Sequence, residues 1–548
     1  MAKGYRPVDR DQPFLFPPDM REWLPPDHPV WLVIRAVGGH MDTSAFHAGR
    51  RTGGAGTAGY DPDMLVTVLV WAYAHRVTSS REIERLCGTD VAFRVICAGN
   101  LPDHATFARF RGDLPEAVAA FFTEVLVLCA RLGMGKLGTV ALDGMKIAAN
   151  ASKSANRTEA GLAKLAREMV AAHAAADAAG DVLFGAGRRG DEVPEDAWSP
   201  RRRDERIAAA LAGLKAGREA AEAEQAAKAE AFRARQQSGQ RTGPAPKQAA
   251  VELAEENLAR VRAARAARLA ELEERHAAGQ PDRRSRVAGV DDHCRVRQAQ
   301  AKLEAAKARA AAAERTAAGR QANRKGPGPV RNITDPDSRL MPVRGGGFTQ
   351  GYNTQNMTSE DVLIIATELT DDPTDMAWLE PMLAAAEDAA ALIQAHRPAA
   401  SPRPDPGRQD QDSGPGSGIG LALADAGYCS EANLTCPGPD RLIAVGKRRD
   451  LEKTARGQDA GQDRGGPATQ AMRERLKTED GIAAYRQRGH IAETPHGHIK
   501  HNMGLRQLSV RGKRKASAEW KFACAVHNLF KALTTGHLTS QALDALAG

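Results

Sequence analysis

Over the first 125 residues, short apolar stretches at helical spacing alternate with polar breaks. In "DPDMLVTVLVWAYAHRV" the apolar residues ride on a helix behind an Asp-Pro start. "TSSREIERLCG" begins another, with a Ser N-cap, acidic residues in its first turn and a Gly stop. "PDHATFARFRGDL" places Pro and Asp before a helix that carries Arg109 and Arg111. Preceded by the Pro-rich "FLFPPDMREWLPPDHPVW", this part predicts a compact helical bundle. The pattern changes at "LGTVALDGMKIAANAS" (137–152), a strand in which Val140 to Leu142 lead into Asp143 and Gly144.

Between about residues 154 and 325, Ala, Arg, Glu and Lys dominate. Val251, Ala254, Leu258 and Val261 keep a 3-4 spacing before the stripe shifts to Leu269 and Leu272, which predicts a helical hairpin or an imperfect coiled coil. Breaks at "QQSGQRTGPAPKQ" and "RKGPGP" divide and end it. Strand patterns return in "RNITDPDSRLMPVRGGGFTQGYNTQN", and "VLIIATELT" (362–370) has the β-branched run of a buried strand. "MAWLEPMLAAAEDAAALIQAH" reads as a helix. A polar linker, "RPAASPRPDPGRQDQDSGPGSG", precedes "IGLALADAGYCS", an apolar strand that ends at Asp425 and Gly427. The strand "RLIAVG", a basic loop and the helical "AMRERLKTEDGIAAYRQRGHIAE" follow. With the Ala/Arg-rich stretch set aside, the pattern predicts an α/β layer architecture around a central sheet.

The length of 548 residues is enough for about three or four domains at roughly 150 residues each. A formal charge of +8 and a pI near 9.1 favour an anionic partner, of which nucleic acid is the commonest for a large basic protein. In that light the amino-terminal helices, with Arg81, Arg109 and Arg111, resemble a helix-turn-helix DNA reader. A plain bundle with surface arginines fits the same pattern. The seven cysteines (Cys87, Cys97, Cys129, Cys294, Cys429, Cys436, Cys524) are scattered and form no C-x-x-C pair, so they predict reduced thiols rather than a zinc or redox site. Cys429 and Cys436 read as buried small residues. No basic-then-apolar leader opens the chain, and "MLVTVLVWAYA" (64–74) is too short to span a bilayer, so a cytoplasmic protein without a membrane partner is expected.

Three acids stand out by position. Asp143 follows one apolar strand, Asp425 ends another, and Glu493 lies on or just after a carboxy-terminal helix. In an α/β layer, strand ends collect side chains from distant parts of the chain. Carboxylates so gathered would repel and raise one another's pKa. Divalent cations remove that penalty, and oxygen-only ligands suit Mg²⁺. Two such ions about 3.5–4 Å apart would activate water or a 3′-hydroxyl and stabilise the leaving oxygen of a phosphodiester. His490, His496, His498 and His501 form no good zinc signature and are explained more simply by a basic, DNA-facing surface.

"LDGMKIAANAS", "TDPDSRLM", "GYNTQN", "LADAGYCS", "YRQRGHIAETPHGHIK" and "EWKFACAVHNLFKAL" occur in the order seen in bacterial insertion-sequence transposases of the DDE type. The chain resembles the branch whose third acid sits in a Tyr-Arg-Glu-Lys signature, and "YDPDMLVTVLVWAYAHRVTSSREIERLC" with "LPDHATFARFR" resembles the helical domain of these proteins. The resemblance implies a ribonuclease H-like α/β catalytic core with a helical N-terminal DNA-binding domain (1–125) and a long helical insertion (154–330). The core itself would be split into 126–153 and 331–540. It implies Asp143, Asp425 and Glu493 as catalytic and metal-binding acids for two Mg²⁺ ions, with Mn²⁺ as a substitute. Tyr485, Arg488 and Lys500, on one helical face, would engage double-stranded DNA at the terminal inverted repeats, and Lys146 could reach a phosphate. A homodimer in the complex with transposon ends and target DNA is the expected assembly. Two departures bear on the course of the helix: four residues separate Arg488 from Glu493 where some relatives have three, and Pro495 predicts a kink or an end to the helix; His496 also stands where an apolar residue is common. The competing readings are a catalytically inactive transposase-derived DNA-binding protein, a metal-dependent nuclease of the same fold, and a structural coiled-coil protein.

Overall fold

The computed structural model describes residues 22–48, 59–168, 200–238, 249–278, 289–322, 330–343, 346–398, 418–446 and 465–547, with a few isolated positions besides. The start of the Pro-rich segment, most of "QQSGQRTGPAPKQ", "RKGPGP", the polar linker and the basic loop lie outside the described residues. The chain forms two compact units, Met1–Asn156 with Asn332–Gly548, and Arg157–Arg331.

In the first unit a six-stranded mixed sheet is built on β1 (Thr139–Ala148). A short pair, β2 (Asn156–Thr158) and β3 (Val330–Asn332), lies outside it. β5 (Phe348–Ser359) runs antiparallel to β1, and β4 (Arg339–Pro342) and β6 (Ile364–Thr370) both pair with the far edge of β5. On the other side of β1 lie two parallel strands, β7 (Leu421–Ala424) and then β8 (Asp440–Ile443). β7 and the first half of β1, Val140 to Leu142, are apolar and buried, as central strands with parallel neighbours are. β5 is also buried although its sequence is polar. Several of its side chains bond the neighbouring elements: Trp520 Nε1 donates to Asn356 Oδ1 at 3.2 Å, and Thr354 Oγ1 donates to the Met145 carbonyl at 2.9 Å. Gly351 is required in this strand, because a Cβ there would lie 2.0 Å from the Ile147 carbonyl oxygen.

The amino-terminal helices form where the sequence predicts them. Asp61 accepts from the Asp63 amide at the start of Pro62–Ala74, and Asp103 accepts from the Thr106 amide at the start of His104–Asp113. Ser80–Thr89 differs from expectation. Ser79 makes no capping hydrogen bond and the helix passes through Gly88, ending only where Asp90 turns to cap the next helix, Val91–Ile96. Pro62–Ala74 is apolar all round and accordingly buried all round, from Leu65 to Tyr73. Its neighbours include Pro29–His40 and the carboxy-terminal helix Lys513–Thr534, which in turn packs on Pro115–Arg131, and these helices share one hydrophobic core with the sheet. The expected boundary near residue 125 therefore does not separate two cores.

His527, on the carboxy-terminal helix, is buried in this core. Its Nε2 lies 3.2 Å from the Val362 carbonyl and its Nδ1 3.0 Å from His498 Nδ1. Burial, then the charges of His498, Lys531 and His496, push its pKa down to about 3, against the hydrogen bond to Val362. A histidine held neutral in the folded state favours unfolding as pH falls below its unfolded value near 6.5. The stability lost is about 1.4 kcal/mol per pH unit for this one group until the folded pKa is reached. Thermal melts from pH 7 to pH 5 are expected to fall more steeply for the wild type than for His527→Gln; parallel profiles would show that His527 does not couple folding to pH.

The second unit is helical, with Pro200–Gln237, Ala250–Ala277 and Cys294–Ala322. Leu258, Val296, Ala299 and Leu303 form a small cluster flanked by Val251, Ala254 and Val261, which is the predicted stripe. Ion pairs Arg262–Asp291 (3.0 Å) and Lys307–Glu255 (3.3 Å) lie along the antiparallel pairing of the last two helices, and Arg233 reaches Glu252 and Glu256, both at 2.8 Å. Ala and charged residues give the helices propensity and a solvated surface, while the few large apolar residues limit the depth of the core.

Candidate active site

Strand register brings the first two acids together. β1 and β7 are parallel with Leu142 opposite Ala424, so the next residue on each strand, Asp143 and Asp425, emerges side by side. Asp425 also caps the turn Ala426–Tyr428, accepting from the Gly427 amide at 2.8 Å. The third acid arrives on a helix laid over this face of the sheet. Ile491 and Ala492 pack against Ala141, Leu423 and Leu442, each fully buried Ile or Leu side chain contributing about 1.5–3 kcal/mol. The Tyr485 hydroxyl donates to the Ala424 carbonyl at 3.1 Å, fixing the helix to the end of β7.

That helix explains both departures noted in the sequence. It starts as an α-helix, Glu479–Arg488, passes through a π-helical turn, Gly489–Glu493, a short α-turn, Thr494–Gly497, and a second π-turn, His498–Asn502. In an α-helix a five-residue step turns Glu493 well away from Arg488. A π-turn, whose hydrogen bonds run from i to i+5, absorbs the extra residue and returns Glu493 to the face of Arg488. Pro495 neither ends nor interrupts the run. It follows the first π-turn, where the altered ladder spares the amide that proline lacks.

Arg488 lies among the three acids. Its Nη2 is 2.9 Å from Asp143 Oδ1 and 3.8 Å from Asp425 Oδ2, and its Nη1 is 3.7 Å from Glu493 Oε1. Side-chain exposure rises from 13% at Arg488 and 16% at Asp143 to 43% at Asp425 and 65% at Glu493, so the cluster is a cleft open on the glutamate side. Burial pushes the Asp143 pKa up, but His496 and Arg488 outweigh it and hold the carboxyl below its ordinary value. For Asp425 burial prevails, aided by the charges of Asp143 and Asp375 and opposed by the Gly427 amide and Arg488, and its pKa is raised. Burial likewise pushes the Tyr485 hydroxyl up to about 12, leaving it a neutral donor.

The other predicted residues fall into two groups. Lys146 and Lys500 are half-buried in the same unit, and Arg81 and Arg109 are exposed on their helices. Arg111 is not at the surface. It is buried, with Nη1 donating to Tyr73 Oη (3.0 Å) and the Thr78 carbonyl (2.9 Å) and Nη2 to Ser80 Oγ, so it is a packing residue of the bundle rather than a DNA-facing one. His496 and His498 are also not part of an open surface. His496 is buried with Nδ1 3.4 Å from Asp143 Oδ2, and His498 faces His527. Cys429 and Cys436 are half-buried rather than buried, and all seven cysteines are free thiols. The sequence reading missed His496, whose only signal was a polar residue at an apolar position of the family pattern. It also missed Asp375, which carries no local signal at all.

The donor set is made only of carboxylate oxygens, the chemistry that suits Mg²⁺ or Mn²⁺, and the guanidinium among them marks where positive charge is stabilised. The three acids stand around Arg488 rather than against one another. Among the described residues, the His/Asp/Glu group with ligand atoms all within 4.8 Å is His47, Asp61 and Asp63, at the exposed start of Pro62–Ala74. The fold thus gathers three acids around one guanidinium beside β1 and the end of β7, a donor set of the kind that suits divalent cations. Residues 18–113 match the Transposase domain family DUF772, and residues 453–533, which include Tyr485, Arg488, Glu493 and Lys500, match the Transposase DDE domain family. In that order on one chain, the two matches support an insertion-sequence DDE transposase. No curated protein and no solved structure matches the chain. No helix among the described residues is long and apolar enough to cross a membrane.

Proposed function

We propose that the chain binds the terminal inverted repeats of its insertion sequence, cleaves the DNA at those ends and joins them to target DNA. The observation that carries this reading is the convergence of Asp143, Asp425 and Glu493, from three distant segments, on one guanidinium beside the middle of β1 and the end of β7. The strand order, with β4 and β6 side by side on antiparallel β5, then β1, then parallel β7 and β8, supports a ribonuclease H-like core. Asp143, Asp425 and Glu493 would hold two divalent cations. Bound there, such ions act as Lewis acids that activate water or a 3′-hydroxyl and stabilise the leaving oxygen of a phosphodiester. Cleavage adds water across one P–O bond; joining exchanges one phosphodiester for another, with the freed 3′-hydroxyl as nucleophile.

The side chains around the acids have distinct tasks in this scheme. Arg488 neutralises the carboxylates in the metal-free state, and its planar fork fits a phosphate as well as a carboxylate, so it can pass from one to the other as DNA enters. Tyr485 sets the depth of the helix against β7, which fixes the reach of Glu493. Lys146, Lys500, Arg81 and Arg109 supply charge for backbone phosphates, positioning DNA without reading its sequence. Residues 157–331 are assigned to contacts with DNA or with a second copy of the chain in the paired-end complex.

The test is incubation of the full chain with duplexes carrying the insertion-sequence ends in Mg²⁺. Cleavage at the ends and joined products are expected. Binding without either product in Mg²⁺ or Mn²⁺ would leave a catalytically silent DNA-binding protein, and cleavage without joining would leave a nuclease.

A further inference from the structure

Asp375 lies between β6 and the helix Leu379–His396, beside the centre but on no element that supplies its three acids. Its Oδ1 accepts two hydrogen bonds, from Asn353 Nδ2 at 2.7 Å and Gln355 Nε2 at 2.8 Å. Both donors are buried side chains of β5, and Gln355 is itself fixed by the Tyr428 hydroxyl, which donates to its Oε1. The carboxylate is thus aimed by residues that lie on rigid elements.

Two glycines make room for it. A Cβ at Gly144, the residue after Asp143, would sit 2.5 Å from Asp375 Oδ1. A Cβ at Gly427, two residues after Asp425, would sit 3.0 Å from Asp425 Oδ1 and 3.4 Å from Asp375 Oδ2, so both carboxylates reach the space beside that glycine, and the charge of Asp375 is felt at Asp425. A second observation points to a ligand. Asn353 is completely buried, its amide lies against Asp375, and its Oδ1 has no hydrogen-bond partner. A buried acceptor left open on the side chain that holds one of these carboxylates lacks a donor or a cation. A hydrated divalent cation supplies both, through its charge to the carboxylates and its water protons to the amide oxygen.

We propose that Asp375 is a fourth carboxylate of the centre and that, with Asp425, it holds one of the divalent cations required by the transposase reading, on which the inference rests. Asn353 and Gln355 are its positioning residues. They orient Oδ1 and leave Oδ2 to face the cation, the arrangement by which outer partners fix a metal ligand.

The experiment is a titration of the full chain with Mn²⁺ alone, followed by electron paramagnetic resonance of the free ion, on the wild type, Asp375→Asn, Asp375→Ser and Asp143→Asn. The Asn variant keeps an oxygen for Asn353 and Gln355 and offers Asp425 an N–H, so the fold is retained; melting curves without metal verify this for both substitutions. At least about tenfold weaker Mn²⁺ binding is expected for Asp375→Asn and Asp375→Ser, with melting unchanged in the absence of metal. Affinity within twofold of the wild type in either folded variant overturns the role of Asp375. If Asp143→Asn still weakens binding in that case, the transposase reading stands without it. A wild-type chain that takes up no Mn²⁺ overturns both.

Discussion

Asp143→Asn, Asp425→Asn and Glu493→Gln are each expected to lower cleavage of a transposon end at least about 10³-fold, because a cation at this centre contributes several kcal/mol of transition-state charge stabilisation and each tenfold in rate is about 1.4 kcal/mol. The amides keep the size and most hydrogen bonds of the acids, so folding and end binding are expected to persist. Asp425→Asn retains an acceptor for the Gly427 amide, and Asp143→Asn retains one for the Arg488 guanidinium. The effects are also expected to be non-additive, since residues that form one centre fail together. Single-turnover cleavage in Mg²⁺, paired with a mobility shift on the same DNA, separates chemistry from binding. A variant that cuts within tenfold of the wild-type rate removes that acid from the centre.

The sequence and the structure agree best where the signal is local. Val140 to Leu142 and the apolar end of β7 announce buried strands, and an acid directly after such a run can be recognised without knowing what it meets. That Asp143 and Asp425 meet follows from parallel register, which no single segment encodes. Glu493 needed more. Its spacing from Arg488 is wrong for an α-helix, and only the π-turn at Gly489–Glu493 reconciles the two. Asp375 was illegible because its partners, Asn353, Gln355 and the two glycines, lie on other strands and turns. Each of those residues taken alone has a commonplace explanation.

The role of Arg488 was only partly legible. A signature arginine on a basic helix suggests a phosphate contact, and the guanidinium chemistry for that is present. The ion pair to Asp143 at 2.9 Å shows what composition could not, that the same group neutralises the acids when no metal does. Removing positive charge from among gathered carboxylates raises their pKa values, so Arg488 and a bound cation serve the carboxylates in turn.

Arg111 is where pattern and structure part most clearly, and it gives the second large effect. On a short helix with Arg109 two residues away, spacing does not decide which arginine points outward. Packing does: Arg111 enters the bundle and bonds the Tyr73 hydroxyl, which in turn donates to Glu519 Oε1 at 2.6 Å on the carboxy-terminal helix. Glu519 also accepts from Ser509, through its amide at 2.8 Å and its hydroxyl at 2.6 Å. Burial first, then the charge of Glu519, pushes the Tyr73 pKa far up, so tyrosine remains a donor between a buried cation and a buried anion. Arg111→Ala leaves the Glu519 charge without its counterpart inside the core, a loss of about 3–5 kcal/mol, whereas Arg81→Ala and Arg109→Ala, at exposed positions, are expected to stay within about 0.5 kcal/mol of the wild type. Arg81→Ala and Arg109→Ala are expected instead to weaken DNA binding and to flatten its salt dependence, by roughly one counterion for each phosphate that is no longer neutralised. Denaturant unfolding and salt-dependent mobility shifts on the three variants decide the matter: an Arg111→Ala chain as stable as the wild type that has lost DNA affinity would return Arg111 to the DNA surface and show that Tyr73 and Glu519 hold the two ends of the chain together without it.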